Sequence, residues 1–439
     1  MLGGTAFGQG QVLDFLASRL PASDDQPTPP DQWSTTENVL WKTDVPGLGW
    51  SSPIVWGNRV FLTTCVSSGD TRETRKGLYL EDVDANKYPK PKHEHEWKVY
   101  CLDLDTGSVL WEHVAHRGIP AKPHHIKNTL ASETPATDGE RIYVYFGNVG
   151  VFCYDLDGKQ LWSKLLPVVE TRYGWGTGAS PIVYKDRVYV VNDNEEQSYL
   201  LVLNKRTGDE VMRVERDETT NYTTPFVWEN DQRTELVTSG IGYSRSYDLQ
   251  GKLLWQIKGT STLAIPTPFA HQGNLYLTAG HVVWGKNPFY VIRPGAEGDI
   301  TLADKETTNE HIIWSSNKIG PYHPTPLIVD GVVYILYDRG FLQAFDAATG
   351  EPVYKRKRIP NGRAFTSSPW SYDGKLFCLN EDGVTFVIQT GPEFEILHKN
   401  ALAEDDMGMA TPVLVGNRLL LRTSPRLYCI GKTDAQAAR

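Results

Sequence analysis

A Ser/Thr-Pro pair recurs along the chain, as Ser52-Pro53, Thr134-Pro135, Ser180-Pro181, Thr224-Pro225, Thr267-Pro268, Thr325-Pro326, Ser368-Pro369 and Thr411-Pro412. The intervals between the prolines are 82, 46, 44, 43, 58, 43 and 43. Five of these agree within three residues, and the two long ones read as a basic repeat plus an inserted loop. About five residues after each pair comes a β run. The clearest unit, 325–356, holds alternating runs at Leu327–Val329, Val332–Tyr337, Phe341–Asp346 and 352–355. The turns between them are Asp330-Gly331, Asp338-Arg339-Gly340 and Ala347-Ala348-Thr349-Gly350. Period-2 apolar runs bounded by Asp/Gly turns predict an antiparallel meander of four short strands. One such sheet cannot bury both faces alone, and a four-strand repeat of about 40–50 residues predicts a propeller.

The fourth strand carries its own mark, a turn glycine followed four residues later by Trp: Gly107 and Trp111, Gly158 and Trp162, Gly251 and Trp255. Trp314 fills the slot without the glycine, and Met212, Tyr354 and Leu397 are expected to replace Trp elsewhere. A large flat side chain at one fixed place per sheet suits docking between neighbouring blades. The last unit ends after Leu427-Tyr428-Cys429-Ile430 without a fourth strand, and the missing strand stands at the other end, as Asn38-Val39-Leu40-Trp41-Lys42. The expected fold is therefore all-β, an eight-bladed β-propeller of four-stranded antiparallel blades, closed by the N-terminal strand. Closure of that kind removes exposed sheet edges. The expected divisions are 1–32 as an N-terminal extension, 33–432 as the propeller and 433–439 as a tail; 11–20 reads as a short helix.

A net charge of −9 argues against nucleic acid as the main partner, because phosphate binding needs a basic footprint. No stretch approaches the roughly 20 apolar residues of a membrane span. The opening has no basic segment or full apolar core, while Ala6-Phe7-Gly8 has the small residues of a signal-peptide cleavage site. The tail of a signal peptide and an arbitrary start both stay open. Cys65, Cys101, Cys153, Cys378 and Cys429 are far apart in sequence and odd in number, which argues against full pairing. Cys101, Cys153 and Cys429 share one repeat slot, taken by Ala344 and Ser246 elsewhere, so small buried thiols are expected.

The Asp103, Thr106, Gly107, Trp111 pattern and its relatives resemble the repeat of PQQ-binding-like β-propeller proteins over roughly residues 33–432. GWSSPIVWGNRVFLTT, ASETPATDGERIYVYFGN, TPFVWENDQRTELVTSG and YDRGFLQAFDAATG are similar to envelope proteins of that group. The resemblance implies an eight-bladed propeller exported across the inner membrane, periplasmic or secreted, and it leaves activity open. The same ring hosts quinoprotein alcohol dehydrogenases and the propeller lipoprotein of the outer-membrane assembly machine. Such dehydrogenases carry a vicinal Cys-Cys pair, a Trp floor and calcium ligands beside a catalytic Asp. No adjacent cysteines are present here, so PQQ and Ca2+ are not expected.

Asp103, Asp105 and Gly107 mimic a calcium loop, as do Asp155, Asp157 and Gly158, but both fall on tight turns that an Asx side chain stabilises without metal. His93, His95, His124 and His125 form a conceivable zinc set with no third ligand fixed by spacing. They read better as loop residues, His93 and His95 lying in a charged 64–98 insertion. Gly174, Gly176 and Gly178 lack the strand and helix of a dinucleotide site.

In a propeller, the loop entering each first strand and the loop joining second to third strand share one rim. The entering loops carry Trp50, Lys127, Asn128, Glu133, Tyr173, Trp175, Tyr222, Tyr322, His323, Arg363 and Asp406. The other loops carry Asn192, Asp193, Asn194, Glu195, Tyr243, Arg245, His281, Trp284, Asp338, Arg339, Glu381 and Asp382. Aromatic plates beside carboxylates, amides and arginines suit a polar ligand with apolar faces, such as a sugar. Glu133, Glu195, Asp338 and Glu381 are the candidate acids, because two carboxylates across a cleft can cleave a glycoside. The expected function is rim binding of a polar small molecule, an oligosaccharide or an envelope protein by a monomer, without PQQ chemistry. Two alternatives stand beside it, a carbohydrate-active hydrolase or lyase and an envelope scaffold, with a degenerate quinoprotein dehydrogenase behind both.

Overall fold

Each of the eight prolines is followed at once by a strand. In the computed structural model, which describes residues 11–17, 19, 27–70, 74–78, 84–259, 261–283 and 285–432, first strands begin at Ile54, Ala136, Ile182, Phe226, Phe269, Leu327, Trp370 and Val413. Proline suits this place because a strand's first residue has no ladder bond to donate. The β run five residues on is the second strand. Seven sheets hold an antiparallel meander of four segments each, at 54–118, 136–165, 182–216, 226–258, 269–316, 327–358 and 370–401. The eighth combines Val413–Val415, Arg418–Arg422 and Arg426–Ile430 with Val39–Asp44, whose Trp41 stands opposite Cys429 and Thr43 opposite Leu427. This is an eight-bladed propeller closed by its N-terminal strand.

The repeat marks now have physical causes. The backbone N–H of Ser52, Thr134 and Ser180 donates to the hydroxyls of Thr134, Ser180 and Thr224 at 2.9–3.0 Å. Thr267, Thr325 and Ser368 donate likewise to Thr325, Ser368 and Thr411. Each bond steps one blade, so the Ser/Thr side chains form a belt where the first strands converge. The indole nitrogens of Trp41, Trp111, Trp162 and Trp314 donate to Leu104, Leu156, Lys205 and Ala347 carbonyls in the next blade's last turn. Their rings lie on the glycines of those turns. A Cβ added at Gly107 or Gly350 would come within 2.4 or 2.7 Å of the indole, and both glycines have φ near +70° to +76°. Glycine is thus required there twice over, by backbone and by approach.

Eight buried apolar clusters fill the eight blade junctions. The five cysteines are free and buried in them. Cys101, Cys153, Ser246 and Ala344 pair directly opposite Trp111, Trp162, Trp255 and Tyr354, where a bulky partner favours a small side chain, although Val291 fills the same slot opposite Trp314. In the seventh blade the partner of the equivalent Val387 is His398; Leu397 falls at the bulge beside it, contrary to expectation. Both long intervals are insertions. One lies between the second and third strands of the first blade, but its flanks pair much further than expected, Ser67 opposite His95, so the loop is 68–94 rather than 64–98. The other, 293–311, adds Gly298–Asp299 as a parallel fifth strand to the fourth blade.

The 11–20 stretch differs from the expected helix. Its described residues cross the channel instead. Val12 pairs with Val55, Leu13 accepts from the N–H of Thr137, and Arg19 bonds the carbonyls of Thr325 and Pro326 and accepts from Ser371. These partners sit on the first strands of blades 1, 2, 6 and 7, or just before them, so the segment plugs the ring from within. Apolar Val12 and Phe15 find burial there that a free amphipathic turn would lack.

Candidate ligand site in the central channel

A cavity of about 290 Å³ lies in the channel mouth, at the low end of small-molecule pockets. Phe15 of the plug and Leu78 of the first insertion border it, and the Ser180, Thr224, Thr325, Ser368 and Thr411 belt forms its waist. Of the expected rim residues, Trp50, Lys127, Asn128, Tyr173, Trp175, Tyr222, His281, Tyr322 and His323 line it. Arg172 and His125 line it too. Arg172 was legible as the neighbour of Tyr173 in an entering loop, whereas Phe15 gave no signal because its segment read as an appendage.

The aromatic side is built by a single-turn 3-10 helix, Arg172–Gly174, in which Tyr173 takes φ 51°. That left-handed residue turns its ring outward beside Trp175, centroids 5.5 Å apart. Asn128 fastens the loop from below, donating to the carbonyls of Trp175 and Thr177 at 2.8 and 3.0 Å. Trp50 donates to the Lys127 carbonyl at 2.7 Å. Gly174 and Gly176 shape this same loop with φ 65° and 88°, which fits a tight turn rather than a dinucleotide site.

The opposite side carries the imidazoles. Asp338 is buried at the start of the tight turn after Tyr337; one carboxylate oxygen bonds His323 Nδ1, and the other accepts from the N–H groups of Tyr322 and His323 at 3.2 and 3.4 Å. The Tyr322 ring lies 3.9 Å from that of His323 and 4.8 Å from His281. Burial, then His323 and Arg172, hold His281 below the usual histidine range. Burial pushes the Tyr222 and Tyr322 phenols well up. The Tyr222 hydroxyl is buried without a hydrogen-bond partner in the protein.

The candidate carboxylates do not face one another across this cavity. Glu133 lies behind its wall, accepting from the Thr177 hydroxyl at 2.6 Å, and burial pushes it up to about 7. Glu195 accepts from Thr220 in a neighbouring depression that shares Arg172 and Tyr173. Asp338 is committed to His323. Glu381 is fully buried against Lys127, the Gly77 N–H and the Thr366 hydroxyl. That pair ties the loop before blade 2 to blade 7, and Gly77 brings the first insertion with it. The insertion also meets the rim at Ala85–Lys87, which touches the Arg172–Gly174 turn.

The remaining candidates sit away from the cavity in structural bonds. Asp193 makes a buried two-pronged pair with Arg216, and Asn192 and Asn194 brace that turn. Arg245 pairs with Glu218 and Asp217 beneath Tyr243. Arg363 meets Asp382, while Asp406 gathers Arg426, Thr423 and Tyr428. The Arg339 carbonyl accepts from Arg358. Trp284 lies outside the described residues. The acidic turns at Asp103 and Asp155 are Asx turns, their carboxylates accepting from their own turn N–H groups. Among the described residues, no three His, Cys, Asp or Glu side chains converge as metal ligands, and no helix is long and apolar enough to cross a membrane.

The comparisons with known proteins agree with this architecture. A family model described as outer membrane protein assembly factor BamB matches residues 95–262 and again 242–434. No curated protein sequence matches. Among solved structures, BamB from Moraxella catarrhalis superposes with a TM-score of 0.59 at 11% identity, covering 89% of this chain and 98% of that one. A europium-containing methanol dehydrogenase gives 0.60 at 12% identity, covering 97% and 98%. A computationally designed protein, Ika8, gives 0.51 at 12% identity, covering 83% and 100%. At such identities these likenesses speak for the fold. The two matches of the family model span most of the ring, and the chain belongs to the PQQ-like propeller family described as outer membrane protein assembly factor BamB.

Proposed function

We propose that the protein is an envelope propeller that binds a small acidic ligand with apolar faces, of the acidic-sugar class, in its channel mouth. The observation that carries this is the lining: Trp50, Tyr173 and Trp175 offer flat apolar surface, Arg172 offers positive charge, and among the described residues no carboxylate borders the cavity. Indole and phenol faces suit the C–H faces of a sugar ring, and a guanidinium suits its carboxylate. What supports a site without quinone chemistry is that the family's paired cysteines have no counterpart and that the candidate acids are held in other bonds. Glycoside hydrolysis by two facing carboxylates loses its main support for the same reason. Calorimetric titration with oligogalacturonate and with a neutral cello-oligosaccharide tests the reading. Saturable binding of the acidic probe alone is expected; equal binding of both, or of neither, overturns it.

A second reading, a scaffold for an envelope protein, draws on the outer face. Val109, Leu110 and Val114 on the outermost strand of blade 1, with Leu161 and Leu165 on that of blade 2, are exposed. Exposed apolar strands at a sheet edge are sites for pairing with another chain. The name of the matching family, an assembly factor, points the same way.

A further inference from the structure

The plug gives the channel a far end. Val12 exchanges backbone bonds with Val55, the Thr137 N–H bonds the Leu13 carbonyl, and the Ser371 N–H bonds the Arg19 carbonyl, all at 2.7–3.0 Å. Val55, Thr137 and Ser371 each stand three residues beyond a belt residue, Ser52, Thr134 and Ser368, close to the turn that ends the first strand. The plug therefore crosses the channel below the hydroxyl belt, on the side away from the mouth. Between its anchored parts it makes a turn, Asp14–Ala17, in which the Ala17 N–H bonds the Asp14 carbonyl at 3.3 Å and Leu16 takes φ 69°. That conformation is costly for an L-residue and persists where the surroundings hold it. Phe15 stands in this turn, half-buried, and of the described plug residues it alone lines the cavity.

The mouth is narrowed as well. The first insertion meets it on two sides. The Gly77 N–H bonds Glu381 of blade 7 at 2.7 Å, and Ala85–Lys87 packs on the Arg172–Gly174 turn that leads into blade 3. The second contact is close enough that a Cβ on Gly174 would meet Asn86 Oδ1 at 2.6 Å. Leu78, next to Gly77, borders the cavity itself. An open groove lets a long chain lie across it, whereas a cavity with a floor beneath and an insertion at its brim admits a chain by its end. Its volume of about 290 Å³, at the low end for small-molecule pockets, suits a short terminal stretch.

We propose that the channel mouth is a blind socket that takes an acidic oligosaccharide end-on, and that Phe15, as its floor, sets how many sugar units enter. The inference rests on the acidic-ligand reading above. The faces of Trp50, Tyr173 and Trp175 then meet the terminal rings, Arg172 meets a carboxylate, and Phe15 stops the chain. Specificity for a chain end follows from the closed far end and needs no further polar group.

The test is calorimetric titration with galacturonate oligomers of increasing length and with polygalacturonate many times longer than the ring is wide, its chains counted by their reducing ends. The expected result is one protein bound per chain at every length, with an affinity that rises over the first units and then levels off. Phe15→Ala lowers the floor and moves the levelling-off to a longer oligomer; Phe15→Trp raises the floor and moves it to a shorter one. A merely structural Phe15 would change the unfolding temperature and weaken every oligomer alike. A levelling-off that stays in place in both variants therefore overturns its role as the floor. Many protein molecules bound along each polymer chain overturn end-on entry and spare the acidic-ligand reading. No saturable binding of any galacturonate overturns both.

Discussion

Replacing Lys127 by Met isolates a buried ion pair that spans the channel. Its partner Glu381 is fully buried, and the Lys127 side chain is 9% exposed. The variant leaves the Glu381 carboxylate with two of its donors, the Gly77 N–H at 2.7 Å and the Thr366 hydroxyl at 2.6 Å, but without a counter-charge. Breaking a buried pair on one side costs about 3–5 kcal/mol, because the surviving charge stays desolvated. Unfolding entropy near 2 cal/mol/K per residue gives roughly 0.9 kcal/mol/K for a chain of this size, so the melting temperature drops by about 3–6 °C. Glu381→Gln, which strands the ammonium, is expected to cost a similar amount. The double variant restores neutrality, keeps an amide oxygen for the Gly77 N–H while its amide N–H can donate to the Thr366 hydroxyl, and melts no lower than either single one. Thermal unfolding followed by circular dichroism at one scan rate measures all four proteins. Costs that simply add, within about 0.5 kcal/mol, would refute the claim that these two charges depend on each other.

Three further outcomes follow from the same geometry. Burial raises Glu133 from 4.5 to about 7, so its share of stability is complete below pH 4.5 and is lost as pH rises through 7. Glu133→Gln should match the parent at pH 5 and exceed it by up to about 3 kcal/mol at pH 8, read from unfolding at both pH values. Trp314→Ala should cost about 3–5 kcal/mol, since the indole is buried, stacks on Phe289 at 5.1 Å and caps Gly350; Trp314→Phe should cost far less in the same melt. In the hydroxyl belt, Thr325→Val strands the Thr267 N–H and should cost about 1–3 kcal/mol. Thr267→Val removes a hydroxyl with no partner and should be near neutral in denaturant melts.

The ring was legible because its constraints are local and repeated. Proline before each first strand is a demand that every blade makes separately, and glycine under the indole is one that four blades make, so the sequence states them many times over. The channel mouth is another matter. Whether Glu381 faces a ligand or Lys127 depends on residues 254 positions apart meeting across the ring, and no spacing announces that. Asp338 likewise reads as a candidate rim acid, and no spacing announces that His323 engages it. The plug escaped notice for a related reason. Its apolar residues are few and its partners lie on four different blades, so neither periodicity nor composition separates it from an ordinary leader. Leu397 was misplaced by one position because a bulge follows this slot, and a bulge shifts the register without leaving a mark in the pattern.

The strand Val39–Asp44 also dictates an order of events. Its partner Arg426–Ile430 is nearly the last part of the described chain to be synthesised, so the earliest strand made must wait for almost the latest. Until they meet, the nascent arc has two open ends, and each is a template for another molecule's strand. The entropy of closing so long a loop grows only logarithmically with its length and adds little to the free energy. What the arrangement lengthens is the time spent unclosed. Any factor that shields either end during that interval, or hastens the meeting of the two, therefore governs yield without altering how firmly the finished ring holds.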